Sequence, residues 1–437
     1  MKVLWVTNIP LPEASLLMNE KPVPYGGWLI NAAIGLVREK GIKLAISFPK
    51  KNITGVKKIK GEGINYYPFS PVGDNLQSLE DNPNLMKIID DFEPDLVHIF
   101  GTEYSHSLAM INICKKKNIH AVISIQGLVS FIAKHYLNGI PARVRKQYTF
   151  RDFIKLDNLK QQQRKFMQQG LLEEEALQKA IHVIGRTTWD KACTTLINSN
   201  INYHYCSETM RDAFYKDVWR LEKCERYSIF ISQGSYPLKG LHFILESMPI
   251  ILKQFPSAKL YIGGQNITIT DNFKQTLKIS SYGKYIKKLI KKYNLQNNVV
   301  FTGVLSEEEM RNRYIKSHVF VCPSSIENSS NSLGEAMLLG VPSIASDVGG
   351  ISDLLTHKEE GFLYQADAPY MLAYYISEIF KNNKVALRLS GKSRKKALKL
   401  YDKEQNLNRL IEIYNEINAE GENQKILGKR KIYESNG

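Results

Sequence analysis

The sequence predicts an α/β protein made of two doubly wound parallel sheets. Short apolar runs alternate with helical patterns through both halves, the rhythm of βαβ units. That rhythm breaks in a charged stretch without periodicity, Lys216–Arg226, and restarts at Ser228-Ile229-Phe230-Ile231-Ser232 as a second first strand would. A chain of 437 residues also exceeds one ordinary core, so two domains are expected.

In order, the first half offers strands at Lys2–Val6, Leu44–Phe48, Leu96–Phe100, Ala121–Gln126 and Ala180–Gly185. Helices are expected at Leu29–Lys40 and Ser107–Lys117. The segment 134–170 departs from the alternation: it is polar, rich in Arg, Lys and Gln, and reads as helical. The second half continues with strands at Leu260–Ile262, Val299–Thr302, Val319–Cys322 and Pro342–Ala345. The expected division is therefore a first domain over 1–215 and a second over 216–403. A last helix within 404–420 and a polar, frayed tail over 421–437 complete the chain.

Composition narrows the class. With 43% apolar and 23% charged residues the chain reads as soluble and globular. Five scattered cysteines, without Cys-x-x-Cys spacing, give neither a disulfide framework nor a zinc pattern and fit a reducing cytoplasm. The N-terminal apolar run is too short for a signal peptide, and no run is long enough to cross a bilayer. No Asp-x-Asp triplet and no His-x-x-x-His spacing occurs, so neither a divalent ion held that way nor zinc is expected. The net charge of +16 fits polyanions, anionic lipid surfaces or phosphate-bearing substrates; biased codon usage is the plain alternative.

The most informative stretch is Glu327-Asn-Ser-Ser-Asn-Ser-Leu-Gly-Glu335, followed by Ala336-Met337 and Gly340-Val341-Pro342. It follows a predicted strand and enters a predicted helix over Leu333–Leu339, with Ser332 as N-cap and Gly340-Val341-Pro342 as the stop. Glu327 is thereby expected on a loop leaving a strand and Glu335 in the first turn of the next helix. That is the crevice at the carboxyl ends of an α/β sheet, where ligands bind. Carboxylates there can accept hydrogen bonds from vicinal sugar hydroxyls or act in acid/base chemistry; a carboxylate complementing a helix dipole is the plainer reading.

Three loops add to this. Tyr25-Gly26-Gly27-Trp28 opens a helix after the first strand, where backbone amides can approach an anion. Ser232-Gln233-Gly234-Ser235-Tyr236-Pro237-Leu238-Lys239-Gly240 holds the matching place in the second half, and its lysine can neutralise a phosphate. Gly349-Gly350 gives a third glycine loop at a strand end. In the segment 134–170, Lys134, Arg143, Arg145, Lys146, Arg151, Lys155, Lys160, Arg164 and Lys165 interleave with Leu137, Ile140, Val144, Phe150, Phe153, Ile154, Leu156 and Phe166. Such a pattern fits a basic amphipathic helix on an anionic membrane, or a solvated outer face.

Together these features resemble the retaining glycosyltransferases called group 1 or family 4, with the GT-B fold. The likeness runs over most of the chain and is strongest from about Ser228 to Asp367, where the Glu-x₇-Glu run and Gly349-Gly350-Ile351-Ser352-Asp353 stand. It implies two Rossmann-like domains facing across a cleft, with the last helix crossing back to the first domain. It implies a catalytic set of Glu327 beside the transferred sugar, Lys239 on the diphosphate and Gln126 at a strand end. Glu335 would hold the ribose hydroxyls, and Val304 and Leu305 would lie near the base. Gly26, Gly27, Gly234, Ser332, Leu333, Gly349 and Gly350 would complete the donor contacts. Arg186 and Glu103 are the expected contacts to an acceptor or a phosphate. Two departures stand out: Gln233-Gly234 occupy the place of a usual arginine, and Gln126 that of a common histidine.

The expected activity is metal-independent transfer of a hexose, with retention, from a UDP- or GDP-sugar as co-substrate. The acceptor would be a glycan or lipid-linked hydroxyl in bacterial surface polysaccharide synthesis. The expected location is cytoplasmic, peripheral at the inner membrane face through 134–170, with no nucleic-acid partner. The alternatives are an epimerase or phosphorylase of the same architecture, and a non-catalytic binder of polyanions.

Overall fold

The computed structural model describes the backbone of residues 1–22 and 26–435, and their side chains apart from residue 76 and those after 420. The chain divides into two compact units. One comprises Met1–Leu128, Gln169–Thr209 and the residues from Tyr401 on; the other comprises Val129–Gln168 and Met210–Leu400.

In the first unit the strands are β1 (Lys2–Val6), β2 (Lys43–Pro49), β3 (Ile59–Lys60), β4 (Ile64–Phe69), β5 (Leu96–Phe100), β6 (His120–Ser124), β7 (His182–Gly185) and β8 (Asn202–Tyr205). They form one sheet in the order β3-β4-β2-β1-β5-β6-β7-β8, parallel except for the short β3–β4 hairpin. Val3, Leu4, Trp5 and Val6 of β1 are wholly buried, as expected of a central strand covered on both faces. The final helix, Lys403–Ser435, belongs to this unit. Its Tyr414 hydroxyl accepts from Trp5 Nε1 at 3.0 Å and lies 2.6 Å from His98 Nδ1.

The second unit holds β9 (Glu225–Ile231), β10 (Lys259–Gly263), β11 (Val299–Gly303), β12 (Ser317–Cys322), β13 (Ser343–Ser346) and β14 (Gly361–Tyr364). All pair in parallel, in the order β11-β10-β9-β12-β13-β14. The order reverses between β9 and β12. That is the switch point at which loops from neighbouring strands diverge to opposite faces and leave a crevice. Both sheets carry the doubly wound parallel architecture the alternation predicted.

Several boundaries differ from expectation. The segment 129–168 lies in the second unit, not in a first domain over 1–215. The reason is specific anchoring: Ser281 N donates to Asp152 at 2.9 Å, Ser281 Oγ lies 2.9 Å from Gln147 O, and His242 Nε2 meets Asn138 O at 3.1 Å. Nor is the segment one amphipathic helix. It forms Val129–His135, Ala142–Arg145, Phe150–Lys155 and the start of Leu159–Lys179, and Leu137, Ile140 and Val144 are buried. The expected linker Lys216–Arg226 is docked: Trp219 is buried, its N–H donating to Leu339 O at 2.7 Å and its indole to Ser317 O at 2.7 Å. The strand expected over Ala121–Gln126 ends at Ser124, which leaves Gln126 on the following loop. The tail expected to fray after residue 420 continues the last helix to Ser435. Tyr25 lies outside the described residues.

Candidate active site

The two central strands of the second unit, β9 and β12, release their loops side by side. The loop after β9 ends in a helical turn, Pro237–Lys239, and in Gly240 with φ +66. A Cβ on Gly240 would sit 1.7 Å from Pro323 O, so only glycine lets this loop press on the one leaving β12. Gly349, φ +56, does the same from the loop after β13: its Cβ would meet Glu327 O at 1.9 Å, and Gly350 N donates to that carbonyl at 3.0 Å. Three strand-end loops are thus locked together by backbone approach, with Glu327 in the middle.

Within this frame Lys239 Nζ donates to Glu327 Oε1 at 2.5 Å, and Ser324 Oγ donates to the same oxygen at 2.7 Å. Burial opposes the charge on Lys239, but the Glu327 carboxylate and its hydrogen bond more than offset it, and the ammonium titrates above its ordinary value. The lysine is a fixed cation.

The helix Asn331–Leu339 begins two residues earlier than expected. Its N-cap is Ser330, which accepts from Leu333 N at 3.4 Å, in place of Ser332. Glu335 therefore lies beyond the first turn and is buried. Its Oε1 accepts from Arg211 Nε at 3.1 Å and Nη2 at 2.6 Å, while Oε2 lies 3.5 Å from the Tyr314 hydroxyl, which donates to Ser332 O at 2.9 Å. Burial pushes the Glu335 carboxyl up, and Arg211 pulls it only part of the way back. Burial, and then the Glu335 charge, push the Tyr314 hydroxyl far above its usual range.

The structure brings Glu327, Lys239, Gly349 and Gly350 into contact and sets Glu335 on the adjoining helix. Gly234 N donates to Gln233 Oε1 at 3.1 Å, and Ser235 Oγ donates to the same oxygen at 2.8 Å, so Gln233 folds back on its own loop. Val304 follows β11 and is exposed, with Leu305 half-buried. Ser332 is half-buried, whereas the Leu333 side chain is core and offers no more than its backbone to a ligand.

The remaining candidates belong to the first unit. Gly26 and Gly27 lead into the helix Trp28–Arg38. Gln126 Nε2 donates to Glu208 Oε1 at 3.1 Å, and Arg186 Nη1 sits 2.6 Å from Glu208 Oε2. The Arg186 charge, buried at the end of β7, is thus matched by Glu208, which sequence reading missed. Glu103 follows β5 and accepts from Thr102 N at 3.0 Å; burial pushes its carboxyl up. Arg211 and Ser324 were also missed. Arg211 stands 124 residues from its carboxylate and in no motif, so nothing local announces it.

A cavity of about 530 Å³ opens nearby in the same unit, between the loops after β9 and β10 and the segment 151–162. Ser235, Tyr236, Gln265, Asn266, Arg151 and Gln162 face it.

Residues 213–396 match the family model described as "Glycosyl transferases group 1". A putative glycosyltransferase of Bacillus subtilis, YtcC, is 26% identical over 183 residues, 41% of this chain and 43% of that protein. The chain spans less than half the length of the first curated relatives it matches. Among solved structures, sucrose-phosphate synthase from Thermosynechococcus elongatus superposes with a TM-score of 0.67 at 16% identity, covering 96% of this chain and all of that one. Anabaena HepE in complex with UDP-glucose gives 0.64 at 14%, covering 95% and 100%. Both support the GT-B fold of two parallel-sheet units. The sheet order, the interlocked loops and the matched model over 213–396 together make the second unit similar to the group 1 glycosyltransferases.

Proposed function

We propose that the protein is a retaining, metal-independent glycosyltransferase. It would move a hexose from a UDP- or GDP-sugar to a hydroxyl of a glycan or lipid-linked acceptor in bacterial surface polysaccharide synthesis, working in the cytoplasm. The observation that carries the reading is the pair of carboxylates at the β9/β12 switch point, each bound to its own cation. Lys239 holds Glu327 and Arg211 holds Glu335. The binding of UDP-glucose by HepE supports a nucleotide-sugar donor.

In this reading Glu335, fixed by Arg211, accepts the two ribose hydroxyls. Lys239 and the amides of Gly349 and Gly350 meet the diphosphate, and the Val304–Leu305 turn lies by the base. Glu327 and Lys239 hold each other until a diphosphate arrives and competes for the ammonium. Glu327 is then released toward the sugar, next to the anomeric carbon. The bond from that carbon to the phosphate oxygen breaks as the acceptor oxygen adds on the same face. The departing phosphate oxygen takes the acceptor's proton. Fixed charges that need no reorganisation supply most of the rate in such a site. The Gln126–Glu208–Arg186 cluster supplies polar contacts for an acceptor; Gln126 cannot act as acid or base.

The test is thermal shift and calorimetry with UDP and GDP against a nucleic-acid oligomer, then labelled UDP- and GDP-sugars without acceptor. A shift for one nucleotide, lost in Glu335→Gln, together with slow release of free hexose unaffected by EDTA, is expected. Salt-sensitive oligomer binding without a nucleotide effect would overturn the reading in favour of a polyanion binder. An epimerised sugar nucleotide in place of free hexose would make the protein an epimerase.

A further inference from the structure

The helix Phe150–Lys155 has two unlike sides. Its inner side is tied down. Thr149 and Asp152 form a reciprocal capping box, and Asp152, with no exposed surface, accepts from Ser281 N at 2.9 Å and from Ser281 Oγ. Its outer side carries Phe150, Phe153, Ile154 and, just beyond, Leu156, each between 57% and 67% exposed. The helix Phe273–Lys278 packs beside it and presents Phe273, 79% exposed. Five large apolar side chains on two neighbouring helices are therefore exposed, four of them on a helix tied down from its inner side. A soluble surface scatters such groups; a contiguous set marks a contact.

The charges around this face identify the contact. Residues 143–165 hold eight Lys and Arg against two Asp. Both acids are already matched: Asp152 by Arg151 and Ser281, Asp157 by Arg151 and Lys165. Lys146, Lys155, Lys160, Lys274 and Lys278 are exposed around the apolar centre. A second copy of the chain would set the same basic rim against itself, which like charge opposes. A bilayer with anionic headgroups satisfies both parts at once, taking the aromatic and aliphatic groups into its interface and the lysines at the phosphate level.

We infer that the face formed by Phe150, Phe153, Ile154, Leu156 and Phe273 inserts into the surface of an anionic membrane. No helix among the described residues is long and apolar enough to cross one, so this is attachment in the interfacial plane. The cavity between the strand-end loops shares Arg151 and Lys278 with this neighbourhood. Binding to vesicles needs no sugar donor, so its outcome is independent of the transferase reading.

The test is co-sedimentation of the full chain with phosphatidylcholine vesicles, with and without phosphatidylglycerol, beside Phe153→Glu/Phe273→Glu. The expected result is binding to the anionic vesicles with a partition coefficient roughly tenfold or more above that for neutral ones. The double variant should lose roughly another tenfold while its thermal unfolding and nucleotide binding stay unchanged. Equal binding by variant and parent, or no binding by the parent, would overturn the inference. So would sedimentation equilibrium showing a dimer that the double substitution dissolves, which would assign the face to a second copy.

Discussion

Replacing Arg211 by Met separates the structural part of the buried Arg211–Glu335 pair from its chemistry. Methionine keeps an apolar stem against Phe214, whose ring the guanidinium covers at 4.7 Å, and removes only the charge and its two hydrogen bonds. The side chains of Arg211 and Glu335 are 21% and 10% exposed, so solvent cannot replace the lost partner. An uncompensated buried charge costs about 3–5 kcal/mol. Glu335 can avoid that cost by taking a proton, so losing Arg211, which pulls the carboxyl down, raises it further. A group whose folded pKa lies above its unfolded one holds its stability below the unfolded value and loses it as pH rises. The penalty of the substitution should therefore be small in acid and grow as pH rises, toward about 3–5 kcal/mol once Glu335 is ionised. Urea unfolding of parent and variant as a function of pH reads it directly. Arg211→Met/Glu335→Met, which removes both charges, should recover most of the loss. A pH-independent difference, or one under about 1 kcal/mol at pH 8, would show that the pair is solvated and that burial does not govern Glu335.

Two further outcomes follow from the geometry. Gly349→Ala should cost at least about 2 kcal/mol in urea unfolding, since left-handed backbone alone costs about 1 and the new methyl would collide with Glu327 O. Gly303→Ala, also at positive φ but facing open space, should cost only the backbone part, and equal losses would refute the steric argument. Acid should unfold the protein early. Burial pulls His98 and His318 down to about 3, and His106, His182 and His242 to about 4. Stability from such neutral histidines is complete above the unfolded value near 6.5 and falls as pH drops toward 3–4. At pH 5 each gives up about 2 kcal/mol. A melting temperature unchanged between pH 7 and 5 would contradict this.

Much of the fold was legible because a parallel sheet covered on both faces writes itself as short apolar runs. β1, β5, β9 and β12 are of this kind. Of the strands that escaped notice, two have sequences that hide their role. β4 contains Pro68 and mixes Asn and Tyr with its apolar residues, while β8, Asn-Tyr-His-Tyr, is an edge strand with little to bury. Trp219 within a charged stretch was the overlooked sign that the supposed linker is docked. The segment 134–170 was misplaced for a related reason. Its composition describes a basic helix, but its position is decided by single contacts such as Asp152 with Ser281, which composition does not contain.

The same division holds at the site. Glu327, Glu335 and Gly349-Gly350 were readable because they belong to local runs in which chain direction alone fixes where a side chain starts. Lys239 was readable as a strand-end cation, but its pairing with Glu327 follows from the strand order, since only a sheet that sets β9 beside β12 brings those two loops together. Arg211 and Glu208 were not readable at all: each is the countercharge that a buried group requires, supplied from wherever the fold passes close. The necessity of such a partner was nonetheless implicit. A carboxylate placed on a helix whose other residues from Leu333 to Leu339 are all apolar or glycine, as Glu335 is, cannot stay ionised without a cation near it. The sequence thus demanded a cation for Glu335 without saying which one, and the tertiary structure chose Arg211.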